Sequence, residues 1–478
     1  MKSPRLPLWL ALVPVVMLIA MLAVSVYIFG DASLEGPSQW VLIMAVALAA
    51  AIGMLYEHLS WQQIETAMVH SIGRTMPANL ILLLVGTLCG TWMHAGIIPT
   101  MIYYGLEVIS ARWILLTACV ICSLVSLCIG SSWTTIATVG VGLCSIGRTL
   151  GVDDGWIAGA IISGAYFGDK MSPLSETTNL ASSMAGVPLF EHIRNMMRTT
   201  VPSVAITLLA FAVEGFLNEG GELDSASHAA MMQEGLAHTF CISPWLLLVP
   251  LFVFFLIYKG VSATIVLFLG SLSAMALIPL VQSNLLSSIN GHDAAGWLAS
   301  VEASMRCAFG GVEYATGYEA VDSLTSTGGM KGMLNTVWLI VCAMCFGGVL
   351  EETGMLQTIT ERLISFMSNR FRAVSATCLS SMFLNIATGD QCLSIILPAK
   401  MYGQTYKHLG LEAKLLSRSL EDGGTVTSVL IPWNSCGMTQ ATVLGVATVA
   451  YAPYCIFCWI SPLMSMAFAF AKSHTSKR

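Results

Sequence analysis

The chain has 478 residues, of which 56% are hydrophobic and only 10% charged, with a mean hydropathy of +0.76. That little charge does not cover the surface of a soluble protein of this length. A net charge of −6 with no Lys/Arg-rich block speaks against nucleic acid as a partner. Apolar runs near 20 residues read as membrane-spanning helices. In chain order they fall near 8–29, 38–56, 78–98, 113–147, 156–180, 200–217, 241–258, 261–281, 333–353, 373–404, 415–440 and 443–470. The runs 113–147, 156–180, 373–404 and 415–440 are interrupted by polar residues. The first run follows Lys2 and Arg5, exceeds a signal-peptide core and lacks a small-residue cleavage site, so it reads as a retained helix.

Three Cys-x-x-Cys pairs (119/122, 342/345, 455/458) lie in apolar runs with no histidine cluster nearby. They read as small residues on buried helices rather than as redox or zinc sites. Segment 218–240 holds Glu219, Glu222, Asp224 and Glu234 without a single Lys or Arg, and reads as an external acidic linker. Most of the Lys and Arg residues fall in alternate loops, from Lys2 and Arg5 through Arg194 and Arg198 to Lys472, Lys477 and Arg478. The positive-inside rule then places both termini in the cytoplasm of a cell with a cytoplasmic (inner) membrane.

The two halves resemble each other. Gly90, Gly96, Gly130 and Pro173 correspond to Gly348, Gly354, Gly389 and Pro432, with "CIGSSWTTI" (128–136) opposite "ATGDQCLSI" (387–395). An odd number of crossings in the first half turns the second upside down. The expected fold is an all-α polytopic membrane protein of two inverted-topology repeats, with broken helices and re-entrant hairpins. Its parts are a first repeat over 1–217, the external linker 218–240 and a second, inverted repeat over 241–478.

The interruptions carry the chemistry. Irregular backbone at membrane depth survives only where protein or a wet cavity satisfies its carbonyls and amides. Hydroxyls, amide oxygens, free carbonyls and carboxylates form the ligand set of a hard monovalent cation such as Na⁺, and no soft-ligand pattern competes. A carboxylate in the bilayer interior is itself a functional hypothesis. Burial favours the neutral form of a carboxyl group, so one carboxylate can hold either H⁺ or Na⁺. Ser131, Thr134, Asp169, Glu176, Asn179, Asp390, Asp422 and Asn434 are the candidates for this shared site, with Lys170 as counter-charge. Simpler roles compete with each assignment: Asp169 pairing with Lys170 or capping a half-helix, Asp422 and Glu421 solvated beside Arg418, Asn179 and Asn434 bridging helices. Glu351 and Glu352 read as a solvated helix end, His94 as a satisfied histidine, and 299–332 as an interfacial or re-entrant piece.

"GAYFGDKMSPLSETTNLA" (164–181) closely resembles the central signature of the NhaC-type Na⁺/H⁺ antiporters. "GTWMHAGIIPTMIYYGL" (90–106), "GDQCLSIILP" (389–398) and "EDGGTVTSVLIPWNSCG" (421–437) are similar to three further blocks of that family, in the same order. The resemblance implies a secondary antiporter of the cytoplasmic membrane, driven by ion gradients and using no nucleotide, with Na⁺ and H⁺ as transported ions. Two departures stand out: Glu176 where the family usually has Asp, and Ser182-Ser183 where it commonly has Pro-Ala. The family also contains exchangers of malate and lactate. A Na⁺-coupled exchanger of small organic anions is therefore the alternative. An enzyme finds no nucleophile–base pair or cofactor motif. The partners expected are small ions and the lipid bilayer; the oligomeric state stays open, a homodimer included.

Overall fold

The computed structural model describes residues 6–29, 35–110, 112–217, 222–292, 296–312, 322 and 328–475. Among these residues every extended regular element is a helix. Among the described residues six helices are long and apolar enough to cross a bilayer: Leu8–Phe29, Pro37–Tyr56, Trp61–His94, Leu189–Leu217, Ala263–Val281 and Gly329–Glu352. Two bent pairs, Ala230–Thr239 with Pro244–Leu256 at 93° and Thr448–Tyr454 with Ile456–Lys472 at 52°, raise the count to eight if each is one span. The other apolar runs of the sequence fall short because glycine, proline or a polar cap cuts them. The acidic segment after residue 217 is helical over Glu222–Thr239, and residues 218–221 with Glu219 lie outside the described residues. Of segment 299–332, the described parts are the end of the helix Trp297–Phe309, the turn Gly329–Gly332, and residues 310–312, 322 and 328.

The 34-residue helix Trp61–His94 sits centrally, against Leu334–Glu352, Ala263–Val281 and Trp297–Phe309. A capping box between Ser60 and Gln63 starts it. Left-handed Gly96 (φ 80°) ends its run and starts Ile97–Val108. Leu334–Glu352 is followed in the same way by Gly354 (φ 72°) and Met355–Ile364.

The interrupted helices form two sets with matching internal contacts. Ile114–Ile129 packs on Asp154–Met171 so closely that a Cβ on Gly164 would stand 2.2 Å from the Cys119 carbonyl oxygen. In the second half a Cβ on Gly423 would stand 2.6 Å from the Cys378 Cα and 2.8 Å from its carbonyl oxygen. Both members of this contact are displaced by 259 residues. The Ser126 hydroxyl donates to the Ala165 carbonyl at 2.6 Å, and the Asn385 amide donates to the Gly424 carbonyl at 2.7 Å, again 259 residues on.

The breaks match too. Ile114–Ile129 stops at Gly130 (φ 74°), after which Ser131 caps a new turn by accepting from the Thr134 N–H. Arg370–Thr388 stops at Gly389 (φ 65°), after which Asp390 caps Gln391–His408 by accepting from the Leu393 N–H at 2.9 Å. A Cβ on Gly130 would meet Leu174 and the Ser175 nitrogen at 2.6–2.8 Å, and one on Gly389 would meet the Trp433 oxygen at 3.0 Å. Positive φ and backbone crowding together make glycine the residue that fits both positions.

Candidate functional site

The densest polar stretch of the sequence begins at the end of Asp154–Met171. That helix stops at Ser172, the chain turns through Pro173, and Ser175 caps Glu176–Met184 by accepting from the Thr178 N–H. Opposite it, Ala413–Leu420 runs into a π-turn, Glu421–Thr425. The two glycines inside it let the backbone widen at this point. The chain breaks again at Pro432, and Asn434 caps Ser435–Leu444 by accepting from the Cys436 N–H at 3.0 Å.

These two stretches meet through charge. Lys170 is fully buried and its ammonium donates to Asp422 Oδ1 in an ion pair with both side chains 0% exposed. Ser461, from the helix Ile456–Thr475, accepts from Lys170 at 2.7 Å and donates to the same Asp422 oxygen at 2.6 Å. The Phe457 ring lies 5.7 Å from the ammonium. Asp422 Oδ2 has no hydrogen-bond partner. Beside it, Glu421 is also fully buried; Thr177 donates to its Oε1 at 3.1 Å and its Oε2 has no partner. The enclosed Thr425 hydroxyl lies next to the Glu421 carboxylate without a normal hydrogen bond.

Asp169 is buried, and its Oδ2 accepts from the Ser132 hydroxyl at 2.7 Å and the Ser132 N–H at 3.2 Å. One side chain thus ties this polar stretch to the break at Gly130. Asp169 lies within electrostatic reach of Glu176 and of Glu421. Asp390 is buried as the cap of its helix, within electrostatic reach of Arg74 and Glu351. Its neighbour Gln391 donates to the Thr425 carbonyl at 3.0 Å, which joins this break to the π-turn. Asn434 donates to the carbonyl and the side chain of Asn385 at 3.2 and 3.3 Å.

The structure therefore brings Asp169, Lys170 and Asp422 into one buried region, ties Ser131 and Thr134 together at the first break (3.1 Å), and stations Asp390 and Asn434 at the second set of breaks. Glu176 and Asn179 are exposed, and Asn179 donates to the Pro173 and Ser175 carbonyls, which is a turn-holding role. Two of the simpler readings are corrected. Lys170 pairs with Asp422 and not with Asp169, and Glu421 and Asp422 are enclosed and not solvated. Glu351 does sit at a partly exposed helix end, paired with Arg74 at 2.7 Å. Glu421, Ser461 and Thr177 belong to the region although they were not among the sequence candidates. The adjacency of Glu421 to Asp422 before two glycines was the one available signal. Among the described residues no three His, Cys, Asp or Glu side chains converge as a metal cluster, and the acids accept from hydroxyls and a backbone N–H.

Interrupted helices and a charged, water-excluded centre define a polytopic α-helical membrane protein. A family model described as the Na⁺/H⁺ antiporter family matches residues 164–472. The Na⁺/H⁺ antiporter NhaC of Bacillus subtilis (strain 168) is 37% identical over 433 residues, covering 90% of this chain and 92% of that protein. The Na⁺/H⁺ antiporter NhaC of Alkalihalophilus pseudofirmus is 36% identical over 90% of this chain and 89% of that protein. The malate-2H⁺/Na⁺-lactate antiporter of Bacillus subtilis (strain 168) is 34% identical over 100% of this chain and 97% of that protein. The chain belongs to the Na⁺/H⁺ antiporter family.

Proposed function

We propose that this protein exchanges Na⁺ for H⁺ across the cytoplasmic membrane, the two ions competing for Asp169, Glu421 and Asp422 around Lys170. The observation that carries the reading is the pair of buried, unpartnered oxygens, Asp422 Oδ2 and Glu421 Oε2. A carboxylate oxygen withdrawn from water without a donor is costly. It is relieved in two ways: by a proton on the carboxyl group, or by a hard cation between the oxygens. The enclosed Thr425 hydroxyl and the carbonyls freed by the π-turn supply further oxygen ligands. Since both ions relieve the same oxygens, each excludes the other, and exchange needs no second site.

The paired contacts displaced by 259 residues support two repeats of one architecture. We read these repeats, over 1–217 and 241–478, as inverted relative to one another, with the ion site where their broken helices cross. Rocking of one repeat against the other then opens the site to alternate sides. Asp390 and Asn434 set the shape of the second break, and Ser131 and Thr134 that of the first. On this reading the basic loops face the cytoplasm, and both termini lie there with them.

The family's malate/lactate member favours the alternative, a Na⁺-coupled exchanger of small organic anions. Lys170 is held by Asp422 and Ser461 and is not available to a substrate carboxylate, and the buried Arg418 lies a helical turn before the Glu421–Asp422 pair. That places cation exchange first. Everted vesicles carrying a pH-sensitive dye test the reading. Added Na⁺ is expected to move protons without any organic anion, and Asp169→Asn or Glu421→Gln to abolish the response in correctly inserted protein. Normal exchange by both variants overturns the site, and a requirement for malate or lactate installs the alternative.

A further inference from the structure

A second set of buried charge lies one helical turn from Asp422, outside the ion centre. Arg418 is 3% exposed, and its Nε is enclosed without a hydrogen-bond partner. The Nε of Arg370 is likewise enclosed and unpartnered. Lys472 lies within electrostatic reach of Arg370, Arg198 and Arg418. The four cations come from the helices Leu189–Leu217, Arg370–Thr388, Ala413–Leu420 and Ile456–Thr475, which pack on one another. Their exposure is graded: Arg418 at the bottom, Arg370 half-buried, Arg198 and Lys472 at an open rim.

Two carboxylates act on this group, Asp422 on Arg418 and Glu412 on Lys472, and both are shared with other cations. Asp422 is engaged by Lys170, and Glu412 lies 3.2 Å from Lys414, which also reaches Glu191 at 3.3 Å. An ordinary basic loop residue extends its charge into water. Arg418 is instead enclosed, within electrostatic reach of the like charges of Arg370 and Lys472, and an anion among them relieves that repulsion. Guanidinium groups match phosphate oxygens with two parallel hydrogen bonds, and basic pockets between membrane helices bind lipid headgroups. Beside the rim, Phe371 and Phe470 stack edge to face at 5.4 Å, next to Arg370 and near Lys472. This supplies apolar surface where an acyl chain would lie.

We infer that Arg418, Arg370, Arg198 and Lys472 form a binding site for the phosphate of an anionic phospholipid, in the leaflet that the basic loops meet. The site is independent of which ion or anion the central region carries. Its headgroup neutralises Arg418 and holds the four helices together beside the π-turn.

The test uses the full-length protein, purified and delipidated in neutral detergent, titrated with phosphatidylglycerol or with phosphatidylcholine of the same acyl chains. Thermal unfolding and native mass spectrometry are the readouts. Phosphatidylglycerol is expected to raise the unfolding temperature and remain bound where phosphatidylcholine does not. Arg370→Gln/Arg418→Gln is expected to remove that preference. Should this variant not fold, Arg198→Gln and Lys472→Gln at the exposed rim decide, each weakening phosphatidylglycerol binding by roughly fivefold. Equal shifts with both lipids overturn the inference, as does an unchanged preference in the rim variants. Inorganic phosphate alone reproducing the whole shift overturns the assignment to lipid.

Discussion

The ammonium of Lys170 and the carboxylate of Asp422, 252 residues apart in sequence, form an ion pair from which solvent is fully excluded. Removing one member leaves the other charge buried, which typically costs about 3–5 kcal/mol, whereas replacing both with apolar groups is often near neutral. Lys170→Met is therefore expected to destabilise the protein strongly, and Lys170→Met/Asp422→Leu to recover most of the loss while exchanging no ions. Thermal unfolding in detergent, paired with vesicle transport, checks both halves. A double variant no more stable than the single one would mean that the pair does not bear on folding as described.

Ser132 gives Asp169 two donors, its hydroxyl and its N–H. Ser132→Ala keeps the backbone donor and removes the hydroxyl. A hydrogen bond to a charged acceptor contributes about 1.5–3 kcal/mol, so the half-saturating Na⁺ concentration is expected to change by roughly tenfold or more. The fold is expected to persist. An unchanged Na⁺ dependence would remove Asp169 from the ion's path.

If H⁺ and Na⁺ relieve the same oxygens, protonation must lower the apparent Na⁺ affinity. The half-saturating Na⁺ concentration then rises as pH falls, approaching about tenfold per pH unit for one proton displaced per ion. In purified Asp169→Asn and Glu421→Gln, which exchange no ions, Na⁺ binding followed by titration calorimetry should lose this slope. Na⁺ titrations of everted vesicles at several pH values measure it, and a flat profile in the wild type contradicts competition.

Gly130 and Gly389 are expected to respond alike to substitution. Each has a positive φ, and each would drive a Cβ into the facing break. Gly130→Ala and Gly389→Ala should each cost at least about 1 kcal/mol from the left-handed backbone alone, and more from the contact. Unfolding temperatures report this. A loss confined to one of the two would show that the breaks are not equivalent in their packing.

Much of this architecture was legible in the sequence, because its signals are local. Glycine followed by a hydroxyl or acid in an apolar run fixes a helix end and a new cap, and both appear at Gly130–Ser131 and Gly389–Asp390. Acids inside such runs were legible as buried, as at Asp169 and Asp390. Partner choice was not. Lys170 stands beside Asp169 in sequence, but successive residues on a helix point some 100° apart, and Lys170 meets a π-turn from the other half. Glu421 looked solvated because Arg418 precedes it by three residues, a spacing that suits a surface pair as well as an enclosed one. Ser461 carried no signal, since isolated serines are ordinary in apolar helices.

The contact at Gly164 has a consequence for sequence variation. What a side chain would strike there is the main-chain oxygen of residue 119, and at Gly423 the main-chain atoms of residue 378. No change of amino acid at 119 or 378 makes room, because every residue type brings the same backbone. The two glycines are thus tied to the spacing of whole helices and not to the side chains they face. A descendant of this chain that acquired a methyl group at either glycine would have to slide a helix, and with it the acids next along the chain, before it paired its charges again.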